Sequence, residues 1–380
     1  MTKNNNFIQT LRLAQKRRAI KFRELVTLSL ANKKEIEKSR KSKQIKAKKL
    51  INKIIRSWIN SSVFTNFHTN NNANSNVIRP WQITGLVDSE GAFTCSVSGR
   101  SVKLEFKVTQ KKYSAGILTR LDSYFNCGSI VIDNSKTVTL KYRVSSLSDI
   151  LGIIIPHFES YPCFTSKNLN FRDWKKIALI MKDKKHLTTE GLAEIMSLLA
   201  NMNKNRSFED KFNYCKNSLG LTDNGEVNTN LPADWIQSFI DGEGTFYNYL
   251  ASKKIDSRGR PYQICNSSLE IAQNSHDVAV LIAIKQYFGG GYIKPKYNFI
   301  DVNECKKSRS VNRFILRDTK TIINFVNNHP MLTRKQLDYL DWKKVVELKN
   351  QDAHKTVEGL ELMRKIISNM NSTRKDEPQD

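Results

Sequence analysis

Two segments of the chain end in the same way, with a glutamate and a glycine after an apolar stretch. They read ITGLVDSEG (residues 83–91) and IQSFIDGEG (residues 236–244), and each predicts a helix that stops at its last glycine. A helix C-terminus has unpaired carbonyl oxygens and partial negative charge, so it favours a cation. The carboxylates of Glu90 and Glu243 add to that charge and suit a hard divalent ion such as Mg²⁺. Two carboxylates with bound metal ions form an arrangement that hydrolyses phosphodiesters.

This chemistry requires the two glutamates to meet. A single D-x-E-G segment is read more simply as a helix end near a turn, but a second copy favours a shared site. Small residues in both segments would let the two helix backbones approach closely, which predicts that the glutamates lie within bridging range of shared metal ions. These small residues are Gly85, Ser89, Ser238 and Gly242.

The rest of the chain is also duplicated, which predicts a fold made of two equivalent units. Residues 161–203 align with residues 329–371 at a constant offset, and TSKNL (165–169) matches TRKQL (333–337). Apolar periodicity predicts the order helix, hairpin, helix, hairpin, helix in each unit. The predicted fold class is therefore α+β, with two αββαββα repeats that each contain four antiparallel strands and are followed by two more helices.

The pattern divides the chain into five parts. A basic extension with helical stretches and an Asn-rich linker spans 1–77, the first repeat 78–204, a connector 205–230, the second repeat 231–371 and a polar tail 372–380. The second repeat is longer around residues 253–260, which is read as a polar loop insertion. Two roles are open for the extension, namely leftover reading frame from an upstream exon or an arm that binds RNA or DNA.

Composition points to a polyanionic partner. The formal net charge is +26, and the first 77 residues hold 18 Lys and Arg against three acids. The basic excess extends into the remainder, so nucleic acid is the expected partner, with a charge-rich solvated surface as the alternative. The sequence contains no apolar run of about 18 residues, so no membrane span is predicted. The six cysteines are dispersed without zinc spacing and are read as reduced thiols in a non-secreted protein.

The two segments resemble the LAGLIDADG motif of homing endonucleases in its two-motif, single-chain form. The likeness covers about residues 79–371 and includes GLVDSEGAF (85–93), FIDGEGTF (239–246) and HLTTEGLAEI (186–195). It implies two antiparallel four-stranded sheets that form a saddle over the DNA major groove. It also implies that the last acid of each motif, Glu90 and Glu243, binds Mg²⁺ or Mn²⁺. The backbone carbonyls of Ser89 and Gly242 would help to coordinate the metal.

The resemblance implies further site residues outside the motifs. Asp88 and Asp241 would cap and orient the helix ends. A glutamine that ends a strand and a lysine five residues after a proline would form a solvent network around the attacking water and stabilise charge on the phosphate; these are Gln110, Gln273, Lys167 and Lys335. The alternative for both lysines is contact with the phosphate backbone. KK follows Gln110 whereas NS follows Gln273, so the two sites are expected to cut their strands at unequal rates.

Polar residues on the predicted strands are candidates for DNA contact, because a β-ribbon fits the major groove and presents alternate side chains to the bases. Solvation of surface lysines is the alternative for any one of them. The first half contributes Thr94, Ser96, Ser98, Arg100, Lys103, Lys107, Lys141 and Arg143. The second half contributes Tyr247, Tyr249, Lys253, Arg258, Arg260 and Lys296. Because the two sets differ, the expected target is asymmetric.

These observations predict a metal-dependent, site-specific endonuclease that cleaves double-stranded DNA as a monomer with an internal pseudo-dimer. A second hypothesis is a maturase that binds a group I intron RNA, and a third is a DNA-binding module without cleavage. The presence of both acids favours the enzyme over these two. Abundant Asn, Lys and Ile, together with the resemblance, predict a mitochondrial location, with the chloroplast as the alternative.

Overall fold

The structure is a computed structural model that describes residues 77–371 and 374, apart from 253, 256, 258, 260, 309 and 310. The predicted N-terminal helices and the linker lie outside the described residues, as does the tail except Arg374. In the described part of the chain, no helix is long and apolar enough to cross a membrane. All six cysteines are free thiols.

The first repeat follows the predicted order of elements closely. Its third helix is α-helical at both ends and π-helical in the middle, and helices α4 and α5 follow it. The elements are α1 (Pro80–Glu90), β1 (Gly91–Ser98), β2 (Ser101–Lys111), α2 (Gly116–Phe125), β3 (Ser129–Asn134), β4 (Thr139–Val144), α3 (Leu147–Asp149, Ile150–Ile154 and Ile155–Ser160), α4 (Lys167–Lys182) and α5 (Thr189–Ala200).

The second repeat has the same order with two additions. One is a short hairpin in the predicted insertion, and the other is an unpredicted helix between the last two strands. The elements are α7 (Ala233–Glu243), β5 (Gly244–Leu250), β6 (Lys254–Ile255), β7 (Pro261–Tyr262), β8 (Cys265–Asn274), α8 (Val278–Phe288), β9 (Tyr292–Lys294), α9 (Val302–Ser308), β10 (Val311–Leu316), α10 (Thr319–Asn328), α11 (Lys335–Asn350) and α12 (Val357–Ser368).

The segment read as a connector contains a regular helix, α6 (Phe208–Leu219). The Ser207 hydroxyl accepts a hydrogen bond from the Asp210 backbone N–H at the start, and Gly220 ends the helix with φ 65°. The buried side chains of α6 belong to Phe212, Cys215 and Leu219. Their spacing places them on one face, so α6 packs against the second repeat rather than serving as a loose link.

Each repeat contains one four-stranded antiparallel sheet, as predicted. The strand orders are β1-β2-β4-β3 and β5-β8-β10-β9, so the long second strand is central in both. Strand alternation separates a buried face from an open face, which is the face of each sheet that points away from its core. On β2, for example, the buried face carries Val102, Leu104, Phe106 and Val108, and the open face carries Lys103, Glu105, Lys107 and Thr109.

A histidine is buried among the aromatic side chains of the first core. His157 on α3 is 7% exposed, and its ring centroid lies 4.8 Å from that of Phe158 and 5.2 Å from that of Phe125. Its Nδ1 is 3.3 Å from the Tyr124 hydroxyl, and its Nε2 is buried without a partner among the described residues. Burial lowers the pKa of His157 to about 4, because a charged ring would lose its hydration.

This burial predicts a loss of stability in mild acid. Unfolded His157 takes up a proton near pH 6.5, whereas the folded form stays neutral down to about pH 4, so protons favour unfolding across that window. The alignment places Phe325 of the second repeat at the same position, so phenylalanine is a suitable replacement. Between pH 7 and pH 4, we expect the free energy of unfolding to fall by about 2–3 kcal/mol less in His157→Phe than in the wild type. Urea unfolding at both pH values measures the difference; equal losses in the two proteins would contradict it.

Candidate active site at the junction of the two repeats

Helices α1 and α7 pack against each other through their small residues, as predicted. A Cβ atom on Gly85 would lie within clashing distance of the Trp235 carbonyl oxygen and 3.1 Å from Ser238 Cβ. A Cβ on Gly242 would likewise clash with the Ser89 side chain. The Gln82 side chain donates a hydrogen bond of 2.8 Å to Gln237 across the same contact. The two repeats are therefore joined at their motif helices.

The close contact places Glu90 and Glu243 next to each other. Each is the last residue of its helix, and the next residue begins a strand. Gly91 and Gly244 have extended backbones, with φ −90° and −81°, and a Cβ on either would clash with the helix it follows. These glycines thus provide space for an abrupt helix-to-strand junction. Glu90 Cγ lies 3.5 Å from the position of a Cβ on Gly242, so it faces the partner helix.

The charges of the two carboxylates interact. The protein around Glu90 and Glu243 partly excludes water from both carboxyl groups, which raises the pKa of each. The charge of Glu90 raises the pKa of Glu243 further, and the charges of Lys167 and Lys335 act on both acids in the opposite direction. Four titratable groups, two from each repeat, therefore share one site.

Both lysines are half-buried at the helix ends. Lys167 Nζ donates to the Val87 carbonyl at 2.6 Å and lies 3.5 Å from the Ser89 carbonyl, whereas Lys335 Nζ donates to the Gly244 carbonyl. Burial lowers the pKa of both lysines, while nearby acids act to raise it. Their position beside the acids favours the expected role near the attacking water over a contact on the outer phosphate backbone. The two lysines contact non-equivalent carbonyls, so the two halves of the site differ.

Asp88 and Asp241 hold the loops that carry these lysines instead of capping their own helices. The Asp88 carboxylate accepts hydrogen bonds from Phe164 N (2.9 Å), Thr165 N (3.3 Å) and Thr165 Oγ1 (2.5 Å). Thr165 Oγ1 in turn accepts from the Lys167 backbone N–H at 3.2 Å. The role expected for both aspartates is thus corrected: they fix the loop in front of the lysine helix. The repeated T-x-K spacing at Thr165 and Thr333 is the signal that would have indicated it.

The second repeat has the same arrangement. Asp241 accepts from Leu332 N (2.7 Å), Thr333 N (3.2 Å) and Thr333 Oγ1 (2.6 Å), and Thr333 Oγ1 accepts from the Lys335 N–H at 3.2 Å. Burial raises the pKa of Asp241, although the hydrogen bonds from Thr333 and Leu332 oppose the shift. The carboxylate and its loop therefore form one buried unit in each repeat.

Asp277 is a site residue that the sequence analysis missed. It lies just before α8 in the second repeat, and its carboxylate accepts from Ser166 N (2.8 Å) and Ser166 Oγ (3.1 Å) in the first. The loop before Lys167 is therefore held from both repeats. The alignment that pairs Gln110 with Gln273 places Ser114 at the corresponding position of the first repeat, so a serine stands there in place of the carboxylate.

The two predicted glutamines are the second-last residues of their strands, close to the expected end position. The Gln273 side chain lies close enough to the Glu243 carboxylate to act as a donor that lowers the pKa of that acid. Gln110 occupies the matching place on β2, opposite Leu140 of β4. The structure thus brings Gln273 to the carboxylates, while Gln110 is placed by its strand position alone.

The donor set at the junction suits a hard cation. No group of three or more His, Cys, Asp or Glu side chains that could hold a metal occurs among the described residues. The side-chain ligands at the junction are the two carboxylates of Glu90 and Glu243. The nearby backbone carbonyls of Ser89 and Gly242 provide two more oxygen atoms. These ligands are all oxygens, as Mg²⁺ and Mn²⁺ prefer, and water or substrate phosphate would supply the rest.

Most of the described candidates for DNA contact lie on the open faces of the sheets. In the first sheet, register and alternation place six residues on one face and on strands β1, β2 and β4, with Ser98 at the end of β1 and Arg100 in the β1–β2 turn. The six are Thr94, Ser96, Lys103, Lys107, Lys141 and Arg143. In the second sheet, Tyr247 and Tyr249 are exposed on β5, and Lys296 follows β9. The candidates Lys253, Arg258 and Arg260 lie outside the described residues.

The sequence profile described as LAGLIDADG endonuclease matches residues 83–178 and 236–346, together more than half of the chain. The chain therefore belongs to this family, in its two-motif, single-chain form. Each match includes most of one motif helix, one four-stranded sheet and one of the two half-buried lysines.

Curated relatives are intron-encoded and mitochondrial proteins. The chain is 29% identical over 297 residues to "Probable intron-encoded endonuclease 3" of Neurospora crassa, covering 74% of this chain and 52% of that protein. It is 23% identical over 318 residues to "Uncharacterized mitochondrial protein RF1" of Saccharomyces cerevisiae, covering 77% and 59%. The chain thus spans about half the length of these relatives.

Solved structures share the fold. I-SmaMI, bound to an uncleaved DNA target in the presence of calcium ions, is 28% identical and has a TM-score of 0.63 over 77% of this chain and 99% of its own. A structure of the same LAGLIDADG homing endonuclease bound to cleaved DNA has a TM-score of 0.64 at 26% identity, covering 78% and 98%.

Proposed function

We propose that the protein is a homing endonuclease that cleaves both strands of a long, asymmetric site in double-stranded DNA. The observation that carries this proposal is the pairing of Glu90 with Glu243 at the junction of two repeats, each with its own half-buried lysine. I-SmaMI, a similar protein, was solved with DNA both before and after cleavage, which supports the same substrate here.

The residues of the site have separate tasks in this proposal. Glu90 and Glu243, with the carbonyls of Ser89 and Gly242, hold Mg²⁺ or Mn²⁺. When bound, such ions neutralise charge on the scissile phosphate and make water more acidic. Lys167 and Lys335 supply positive charge beside the reacting groups in a partly water-excluded site. Gln273, and Gln110 by its matching position, orient solvent near the acids.

The open faces of the two sheets form the proposed DNA-binding surface. Antiparallel strands can enter the major groove and read bases with alternate side chains. The chain's net charge of +26 provides the electrostatic attraction that any such complex needs. Because both motifs are in one chain, a monomer contains the complete site.

The location proposed is the mitochondrion. A similar yeast protein is named as mitochondrial, and a similar Neurospora protein is named as intron-encoded. Neither name supports the chloroplast alternative. The maturase hypothesis has no observation in its favour among the described residues, whereas the paired acids and half-buried lysines have a direct use in phosphodiester cleavage.

The proposal is tested with a supercoiled plasmid that carries the intron-less insertion locus. We expect Mg²⁺ and purified protein to convert it to a single linear product, and EDTA to prevent this. A plasmid that already contains the intron at that locus should stay uncut, which controls for non-specific nuclease. Failure to linearise the intron-less plasmid, with either Mg²⁺ or Mn²⁺, would reject the enzyme.

The two strands are expected to be cut at different rates. Lys167 and Lys335 contact different carbonyls, and KK follows Gln110 whereas NS follows Gln273. A nicked circle should therefore accumulate before the linear product, with most nicks on one strand. End-labelling of each strand in a time course measures this, and equal rates on both strands would contradict it.

A further inference from the structure

The open face of the first sheet carries a carboxylate where a DNA-binding surface would be expected to be basic. Glu105 lies in the middle of β2 on the same face as Lys103 and Lys107. Its Oε1 accepts from Lys141 Nζ at 3.3 Å and its Oε2 from Arg143 Nη1 at 3.4 Å. The Glu105 side chain is 23% exposed, so the pair can still be reached from outside. Against a polyanion this charge is unfavourable unless it meets a hydrogen-bond donor.

A G·C base pair presents the matching donors and acceptors. In the major groove, guanine offers two acceptors, N7 and O6, that an arginine binds with two hydrogen bonds, and cytosine offers the N4 amino donor that a glutamate accepts. The two groups of one base pair lie side by side. We propose, on the basis of the function proposed above, that Glu105 and Arg143 together read one G·C base pair of the target, with Arg143 on guanine and Glu105 on cytosine.

The register of the sheet places both side chains on the same face. Arg143 lies on β4, directly opposite Lys107 and therefore on the same open face as Glu105. The ion pair also restrains both side chains before binding, which reduces the entropy lost on contact with a base.

The second sheet contains a similar pair at a different position. Glu270 on β8 and Arg313 on β10 are 3.8 Å apart, and both lie on the open face. In the alignment that pairs Gln110 with Gln273, Glu270 corresponds to Lys107 and not to Glu105. A G·C preference from this pair would therefore fall at a non-equivalent position of the other half-site, so the target would not be a palindrome.

The simpler alternative is that Glu105 only neutralises Lys141 and Arg143. The two explanations differ in sequence dependence. If Glu105 only reduces positive charge, Glu105→Gln strengthens binding to every sequence equally. If it reads cytosine, Glu105→Gln changes the preference at one base pair and leaves the others unchanged, because glutamine can also pair with adenine.

The experiment selects bound sequences from a randomised DNA library in Ca²⁺ with the full chain. For the wild type we expect a preference of at least about 10-fold for G·C at one position of the first half-site. Glu105→Gln and Arg143→Lys should both relax that same position. Asp133→Asn is the control, because Asp133 also lies 3.3 Å from Lys141 but on the edge strand β3, and it should leave the preference unchanged.

Two outcomes would overturn the inference while leaving the endonuclease proposal in place. One is that Glu105→Gln selects the same bases as the wild type at every position. The other is that Glu105→Gln and Arg143→Lys change the preference at two different base pairs. Selection of no defined sequence by the wild type would contradict the proposed function itself, and the inference with it.

Discussion

Replacement of either motif glutamate by glutamine should abolish double-strand cleavage while DNA binding persists. Glu90→Gln and Glu243→Gln each remove one of the two carboxylates at the helix junction but keep the side-chain shape. Changes in residues that merely surround a metal site typically cost 10–100-fold, so loss of a direct ligand is expected to lower the cleavage rate by more than about 100-fold. Plasmid linearisation and gel-shift affinity in Ca²⁺ measure the two properties separately.

Glu159→Gln is the matched control for these variants. Glu159 forms an exposed ion pair with Lys175 and is remote in sequence from both motifs, so its loss should leave cleavage unchanged. Because the motif variants remove negative charge near the DNA, their affinity should equal or exceed that of the wild type. Linearisation at the wild-type rate by either motif variant would contradict the proposed role of these glutamates in cleavage.

The substitution Gly85→Ala should destabilise the protein by about 2 kcal/mol. Alanine is intrinsically better than glycine in a helix by about 1 kcal/mol, but here its Cβ would clash with the Trp235 backbone carbonyl and crowd Ser238. Overpacking of a tight contact costs typically about 1–3 kcal/mol, and a backbone oxygen cannot move away as a side chain can. Urea unfolding followed by tryptophan fluorescence measures the change, because Trp235 lies in the contact.

Gly152→Ala provides the comparison for this prediction. Gly152 lies in the π-helical part of α3, and a Cβ there would meet no atom within 4 Å. Alanine should therefore be neutral or stabilising by about 0.5–1 kcal/mol at this position. A Gly85→Ala protein that is as stable as Gly152→Ala would mean that helices α1 and α7 do not pack as closely as described.

The duplicated architecture was predictable because it depends on local patterns that occur twice. Helices α1 and α7 end at the glutamates of their motifs, and the two sheets and the lysine helices follow in the predicted order. The small residues at Gly85 and Gly242 correctly predicted the contact between the motif helices. Repetition was decisive here, since one motif alone is indistinguishable from an ordinary helix end.

What could not be predicted depends on contacts between distant segments. Asp88 reads as part of its own helix, yet its partners are the loop before Lys167, at least 76 residues away, and the Trp235 indole of the second repeat. Asp277 of the second repeat similarly holds a loop of the first. Helix α6 is an exception, because the capping residues Ser207 and Gly220 and its apolar spacing were visible in the sequence. The Glu105–Arg143 pair became apparent only once β2 and β4 were known to be neighbours.

The central claim is that Glu90 and Glu243 jointly hold the metal ions at the helix junction. Crystals of the protein with its DNA site and Mn²⁺, measured at a wavelength where manganese scatters anomalously, test it directly. We expect anomalous peaks within about 2.0–2.5 Å of carboxylate oxygens of both glutamates, next to the scissile phosphates. Manganese bound elsewhere, or at only one of the two carboxylates with the other turned away, would contradict the account.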